Sequence, residues 1–144
     1  MNKSTLELVP QTQIHVAILL DGNGRWAAAH GLRRSEGHRA GVEAVRRVVR
    51  AAPAMGISTL TLYAFSSDNW GRPLSEVASL LTLLEEYLRT EAAKCASENV
   101  RLRVIGRRDR IPPTLAEAIQ TAERLTANCR GLQLRIAQIG RAHV

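Results

Sequence analysis

At 144 residues the chain has room for one domain with a modest core, since domains run to roughly 100 to 200 residues. Its 45% hydrophobic and 23% charged residues belong to a globular protein and exclude a disordered tail, a collagen or a mucin. Twenty Lys+Arg against thirteen Asp+Glu give +7, and all but Lys3 and Lys94 of the basic residues are arginine, so the expected partners are anions: nucleic acid, an acidic membrane surface or a phosphorylated small molecule.

From Ile14 to Leu20 the run I-H-V-A-I-L-L is short and almost continuously apolar, which predicts a strand covered on both faces. It stops at Asp21, and a polar stretch rich in Gly and Arg follows. Val42, Val45, Val48, Val49 and Ala52 then recur at helical spacing, predicting a helix from about Gly37 that Pro53 kinks or ends. Leu60 to Phe65 reads as a second strand and Ser66 to Pro73 as the loop after it. Pro73 suits the first turn of a helix to Ser97 whose apolar stripe is Val77, Leu80, Leu81, Leu84, Tyr87 and Leu88. Arg101 to Ile105 alternates as a strand, Thr114 with Glu117 has the spacing of a capping box opening another helix, and Leu132 to Ala137 alternates again. This β-α-β-α-β-α-β order predicts an α/β fold, a mostly parallel sheet flanked by helices, with ligands beyond the carboxyl ends of its strands. The pattern is unfinished at the C-terminus. Residues 138–144 resemble translated adapter sequence, so 1–137 is read as a single α/β domain with a non-native tail.

The charge-free stretch from Ala51 to Ser67 is interrupted by Pro53, Gly56 and several hydroxyl residues and makes a poor membrane span. Glu7 and Pro10 stand where an export signal would be apolar, so a cytoplasmic protein is expected. Cys95 and Cys129 are far apart without C-x-x-C or histidine at ligand spacing, which argues against a zinc site or a disulfide framework. His15, a lone strand histidine, is read as structural. Arg46, Arg47 and Arg50 are read as a solvated helix face, and Arg101, Arg103, Arg107, Arg108 and Arg110 as a candidate second basic patch.

The chemistry concentrates after the first strand. Gly22 and Gly24 flank Asn23, letting the backbone turn sharply and approach an anion with free amides. Arg25, Arg33, Arg34, His38 and Arg39 follow within eighteen residues. Asp21 would repel a diphosphate beside it unless a cation lay between them, so Asp21 is the candidate ligand for Mg²⁺. Gly22, Gly24 and Ala27 also satisfy G-x-G-x-x-A, a weak dinucleotide fingerprint, but the second strand ends in Ser66-Ser67-Asp68, which puts the acid two residues late, and the arginine cluster is more than a pyrophosphate held by backbone amides requires. No Walker motif is present.

Four ordered segments, Asp21-Gly-Asn-Gly-Arg-Trp26, Gly37-His-Arg-Ala-Gly41, Phe65-Ser-Ser-Asp-Asn-Trp-Gly-Arg-Pro73 and Arg101-Leu-Arg-Val-Ile-Gly106, resemble the cis-prenyltransferases, the undecaprenyl diphosphate synthase family, over roughly Ile14 to Ala137. The resemblance implies extension of an allylic diphosphate such as farnesyl diphosphate by isopentenyl diphosphate, with cis geometry, to a polyprenyl lipid carrier. It implies Asp21 and Asn69 as catalytic, Asp21 holding Mg²⁺ and Asn69 accepting or positioning a proton. Gly22, Asn23, Gly24 and Arg25 would cradle the allylic diphosphate, with Arg34 and His38 completing its neutralisation. Trp26 would pack near the prenyl chain, Ser66, Ser67 and Asp68 would border the substrate, and Trp70 and Arg72 would belong to a lid. It further implies a homodimer in the full-length protein, peripheral membrane contact for product release and no nucleic acid. The family's later arginine-rich segment and glutamate do not occur in this chain, so it is expected to bind allylic diphosphate without turnover. The alternatives are a non-catalytic partner subunit, which would be expected to lose the intact Asp21 loop, and a basic dinucleotide- or nucleic-acid-binding domain, which 3% aromatic residues serve poorly.

Overall fold

The structure, a computed structural model, describes residues 13–65 and 74–138. Strand β1 (Ile14–Leu19) leads to helix α1 (Asn23–Ala29) and helix α2 (Arg34–Ala51), which a 3-10 turn at Pro53–Met55 closes. Strand β2 (Ile57–Phe65), helix α3 (Leu74–Ser97), strand β3 (Arg101–Gly106), helix α4 (Pro113–Leu125) and strand β4 (Gln133–Gln138) follow. The described strands form one parallel sheet in the order β1-β2-β4-β3.

Register sets the core. Val16, Leu60, Leu134 and Leu102 lie side by side across the sheet, and Ile18, Leu62, Ile136 and Val104 make the next row. Val45 and Val49 of α2, Leu81 and Leu88 of α3, and Leu115 and Ile119 of α4 bury against these rows in one cluster. The other face carries His15, Ala17 and Leu19 of β1 beside Thr59, Thr61 and Tyr63 of β2. Here the expectation of strands covered on both faces is corrected: among the described residues the helices pack on the first face, and Leu19 stays 63% exposed. His15 is structural as expected, its Nε2 lying 2.7 Å from Thr61 Oγ1.

Helix α4 lies along the outer edge of β3 and takes over its free backbone groups. Leu102 N donates to Oγ1 of Thr126, the helix's C-cap, at 3.0 Å and Val104 N donates to Glu123 Oε2 at 3.0 Å, while Arg108, from the segment after β3, donates from Nη2 to the Val104 carbonyl at 3.0 Å. An exposed strand edge would otherwise offer these groups to another chain.

Three further expectations change. The Gly-rich stretch after Asp21 is helical, and α2 begins at Arg34, ahead of Gly37, with Glu36 Oε2 accepting from Arg33 N at 2.7 Å. The capping box of Thr114 and Glu117 does not form. Helix α4 is capped by Pro112 without a side-chain bond, and Thr114 Oγ1 instead donates to Glu85 Oε1 of α3 at 2.9 Å. Arg46 is no solvated residue: it pairs with Glu43 and spans to Glu91 of α3 at 3.1 Å, tying α2 to α3. Of the described helices none is long and apolar enough to cross a membrane.

Candidate functional site

Asp21 stands just beyond the carboxyl end of β1, where ligands of open parallel sheets bind. Gly22 turns the chain at φ 92°, a left-handed conformation that side chains other than glycine's strain to adopt. The turn brings Gly22 N to Asp21 Oδ1 at 2.8 Å and starts α1, whose Arg25 Nη2 reaches Asp21 Oδ2 at 3.3 Å. Both side chains remain open to solvent, Asp21 57% and Arg25 81% exposed, so their pairing is weak and each is free to engage a ligand.

The approach of α1 to α2 completes the mouth. A Cβ on Gly37 would lie 2.3 Å from the Asn23 carbonyl, so that position admits only hydrogen at this separation, and one on Gly41 would lie 2.5 Å from Asn23 Nδ2 and displace the amide. The crossing lays Gly24 against the Arg34 guanidinium and places the buried His38 beside them. Asp21, Gly22, Asn23, Gly24, Arg25, Arg34 and His38, separate in sequence, thus share one rim.

Behind that rim opens a cavity of about 330 Å³, within the range of small-molecule sites. Its walls are Ile18 and Leu20 from the β1 end, Val42 and Val45 from α2, Leu62 and Ala64 from β2, and Leu80, Leu84 and Tyr87 from α3. One end is therefore cationic and hydrogen-bonding, the rest apolar. Such a cleft complements an amphiphile with an anionic head.

The stripe on α3, read from sequence as a candidate wall, does line the cavity through Leu80 and Leu84. The walls from β1, β2 and α2 were visible in the sequence only as apolar periodicity, which does not distinguish a core position from a cavity position. Trp26 is not among the lining residues: it is 43% exposed and stacks on His30, ring centroids 4.2 Å apart. Ser66, Ser67, Asp68, Asn69, Trp70 and Arg72, and the tail from residue 139 onward, lie outside the described residues. Within the candidate second basic patch, Arg107 pairs with Asp109 and Arg108 with Glu123.

A protein-only metal cage has no support, since among the described residues no group of three or more His, Cys, Asp and Glu side chains converges. One solvent-open carboxylate at a cationic rim does fit Mg²⁺ of the kind shared with phosphate oxygens and water.

The prenyltransferase family model described as "Putative undecaprenyl diphosphate synthase" matches residues 19–139. Isoprenyl transferase 1 of Bradyrhizobium diazoefficiens is 58% identical over 125 residues, 87% of this chain and 51% of that protein. An isoprenyl transferase of Agrobacterium fabrum is 50% identical over 137 residues, covering 95% of this chain and 54% of its own length. The chain spans about half the length of the curated relatives it matches. Among solved structures, lavandulyl diphosphate synthase from Lavandula x intermedia, in complex with dimethylallyl diphosphate, superposes with a TM-score of 0.83 at 32% identity, over 92% of this chain and 56% of that one. A probable undecaprenyl diphosphate synthase from Campylobacter jejuni gives 0.70 at 29% identity, over 90% of this chain and 55% of that one. Fold, sequence and the ordered motifs around Asp21 agree, and the chain belongs to the undecaprenyl diphosphate synthase family of prenyltransferases.

Proposed function

We propose that the cavity behind Asp21 holds the allylic diphosphate of a cis-prenyl chain elongation, diphosphate at the rim and hydrocarbon inward. The observation that carries this is the cavity's division into a cationic mouth and an apolar interior. Arg25, Arg34 and the hydrogen-bonding Asn23 and His38 surround the position of the head, while Ile18, Val42, Leu62 and Leu84 take the tail. Dimethylallyl diphosphate in the lavandulyl synthase complex is a ligand of this chemical class on a related fold.

The chemistry follows from the charges. Breaking the bond from the allylic carbon to diphosphate leaves a highly charged group, and preplaced arginines stabilise charge that grows in the transition state. Asp21 would hold Mg²⁺, which when bound supplies additional neutralisation of the leaving diphosphate. The apolar walls keep water from the allylic carbon, where it would compete with the double bond of isopentenyl diphosphate. Asn69 would accept or position the departing proton. Condensation needs two diphosphates, and the rim around Asp21 suits one of them. The proposal is therefore that the 144-residue chain binds allylic diphosphate and does not elongate it.

The test is farnesyl diphosphate binding by calorimetry with and without Mg²⁺, followed by incubation with labelled isopentenyl diphosphate. Wild type should bind, with Mg²⁺ tightening binding by about tenfold, as expected for one shared carboxylate contact. Asp21→Ala should lose that Mg²⁺ increment, and labelled product should stay at the Asp21→Ala background. Equal Mg²⁺ dependence in Asp21→Ala would contradict the metal assignment, and product above background would contradict the lack of turnover.

A further inference from the structure

We propose that the turn between α1 and α2 is a docking surface for an anionic phospholipid bilayer, which it brings up to the mouth of the cavity. Of residues 25–35 Ala27 alone is buried. The stretch R-W-A-A-A-H-G-L-R-R-S carries Trp26, Leu32 and three arginines, and no acidic residue. Leu32 is 41% exposed, Trp26 is open to solvent with His30 stacked on it, and the Arg33 side chain is 85% exposed. Exposed apolar residues scattered singly are ordinary on a protein surface. Here an indole, an aliphatic side chain and cations gather on one short turn. Arg25 and Arg34 belong both to this turn and to the rim of the cavity, so the turn and the mouth are continuous.

This mixture has the chemistry of a bilayer interface. A tryptophan ring settles at the level of the headgroups, a leucine adds apolar area beneath them, and an arginine lays its stem on the surface with its charge on phosphate. The acids nearest in sequence, Asp21 and Glu36, stand outside the turn and reach Arg25 and Arg33 at 3.3 and 3.9 Å in solvent-open contacts that a lipid phosphate readily replaces. The backbone also suits a medium of low polarity. His30 N donates to the Ala27 carbonyl at 3.0 Å, Gly31 N to the Ala28 carbonyl at 3.2 Å and Leu32 N to the Ala27 carbonyl at 2.8 Å, so these amides enter the interface already bonded. Since none of the described helices is long and apolar enough to cross a membrane, the contact is one of surface only.

A single nucleic-acid strand is the other polyanion such arginines could hold. It would require successive aromatic platforms, whereas Trp26 already stacks on His30 and the exposed neighbours Ala28, Ala29 and Leu32 give a base nothing to stack on. The benefit of the location rests on the reading of the cavity as a prenyl diphosphate site: a ligand with a hydrocarbon tail concentrates in bilayers, and a mouth seated there opens onto it.

The experiment measures sedimentation of the 144-residue chain with vesicles of phosphatidylglycerol and phosphatidylcholine in equal parts, and with phosphatidylcholine alone, no prenyl diphosphate being present. Binding to the mixed vesicles should be at least about tenfold tighter than to the neutral ones and should weaken with salt. Arg33→Gln should lower it about fivefold, the effect of one charge close to an anionic surface. Leu32→Ser should lower it by about the same factor through lost apolar burial. Arg47→Gln removes an equal charge from an exposed position of α2 outside the turn and should change it by less than about twofold. In Trp70→Phe, which leaves Trp26 as the single tryptophan, mixed vesicles with brominated acyl chains should quench the emission and shift it to the blue. Circular dichroism verifies folding, and the comparison of Arg33→Gln with Arg47→Gln decides if Trp70→Phe is unfolded. Failure to bind mixed vesicles, equal losses in Arg33→Gln and Arg47→Gln, absence of bromine quenching, or tighter binding to polyuridylate than to vesicles overturns the docking surface. Each of these leaves farnesyl diphosphate binding in solution untouched, while loss of that binding with vesicle binding intact overturns the reading of the cavity and not the surface.

Discussion

Asp21 is the carboxylate among the residues that line the cavity, and its neighbours explain how a solvent-open carboxylate is held among cations. Its position is set by the left-handed Gly22 and by the seating of Asn23 against Gly41. That seating gives a prediction at this scale. In Gly41→Ala the new methyl would meet the Asn23 amide at 2.5 Å, and because the obstacle is a side-chain end the amide must rotate or α1 must shift. Such overpacking costs typically about 1 to 3 kcal/mol. The expected result is a modest loss of stability in urea titration together with weakened farnesyl diphosphate binding. Unchanged binding with lowered stability would show that Asn23 does not contribute to the rim. That Asp21, Asn23, Arg25, Arg34 and His38 would gather at one place was legible in the sequence, from the glycines, arginines and single acid that follow an apolar strand and from the motifs they share with the family. Trp26 was legible as a residue but not as a place: its stacking on His30 depends on the pitch of a helix that the sequence hides.

That helix, α1, is the clearest case at the scale of elements. Gly-Asn-Gly is poor helix sequence, glycine costing about 1 kcal/mol relative to alanine in a helix interior, so local propensity favours a turn. Tertiary packing decides otherwise, because Gly37 lets the Asn23 carbonyl approach α2 to a distance no side chain permits. The missing capping box of α4 has the same lesson, as Thr114 is recruited by Glu85 of another helix. The alternation of strands and helices, by contrast, was legible because continuous apolar runs and helical spacing are local signals.

Helix α4 also guards the edge of β3, and this can be measured. Thr126 is fully buried, accepts from Leu102 N at 3.0 Å and donates to the Ala122 carbonyl at 2.9 Å. Thr126→Val keeps the shape and removes the oxygen, leaving the Leu102 amide without its partner at a cost of about 1 to 3 kcal/mol. Urea unfolding should show this loss, with faster amide exchange at Leu102. Wild-type stability in Thr126→Val would mean that the edge is satisfied in another way.

At the scale of the whole molecule, the described helices and sheet make one core, and its alkaline limit is written into α3. Burial first, and then the negative charges of Glu91 and Glu98, push the Cys95 thiol up to about 11 from an ordinary value near 9. Burial pushes the Tyr87 phenol up as well, with Cys95 and Glu91 adding to it. The unfolded chain therefore releases these protons at lower pH than the folded one. The stability due to Cys95 is complete below pH 9 and is lost as pH rises to about 11. Urea midpoints should fall across that interval, and Cys95→Ala should flatten the decline. A midpoint that holds steady to pH 11 would contradict the buried, proton-bearing environment of α3.

That the described helices pack on one face of the sheet was not legible, because a strand's apolar run records what it could bury and not what packs on it. Leu19, part of that run, ends exposed. The amphipathic cavity was equally hidden, for its walls come from β1, β2, α2 and α3, and only their meeting defines it. The measurement that tests the central claim most directly compares farnesyl diphosphate, farnesol and inorganic diphosphate as ligands for this one chain. A cavity that joins a cationic rim to an apolar interior should bind farnesyl diphosphate at least about a hundredfold more tightly than either half alone, since only the whole ligand collects both contributions. Inorganic diphosphate binding as tightly as farnesyl diphosphate would show that the rim acts without the cavity and would contradict the account.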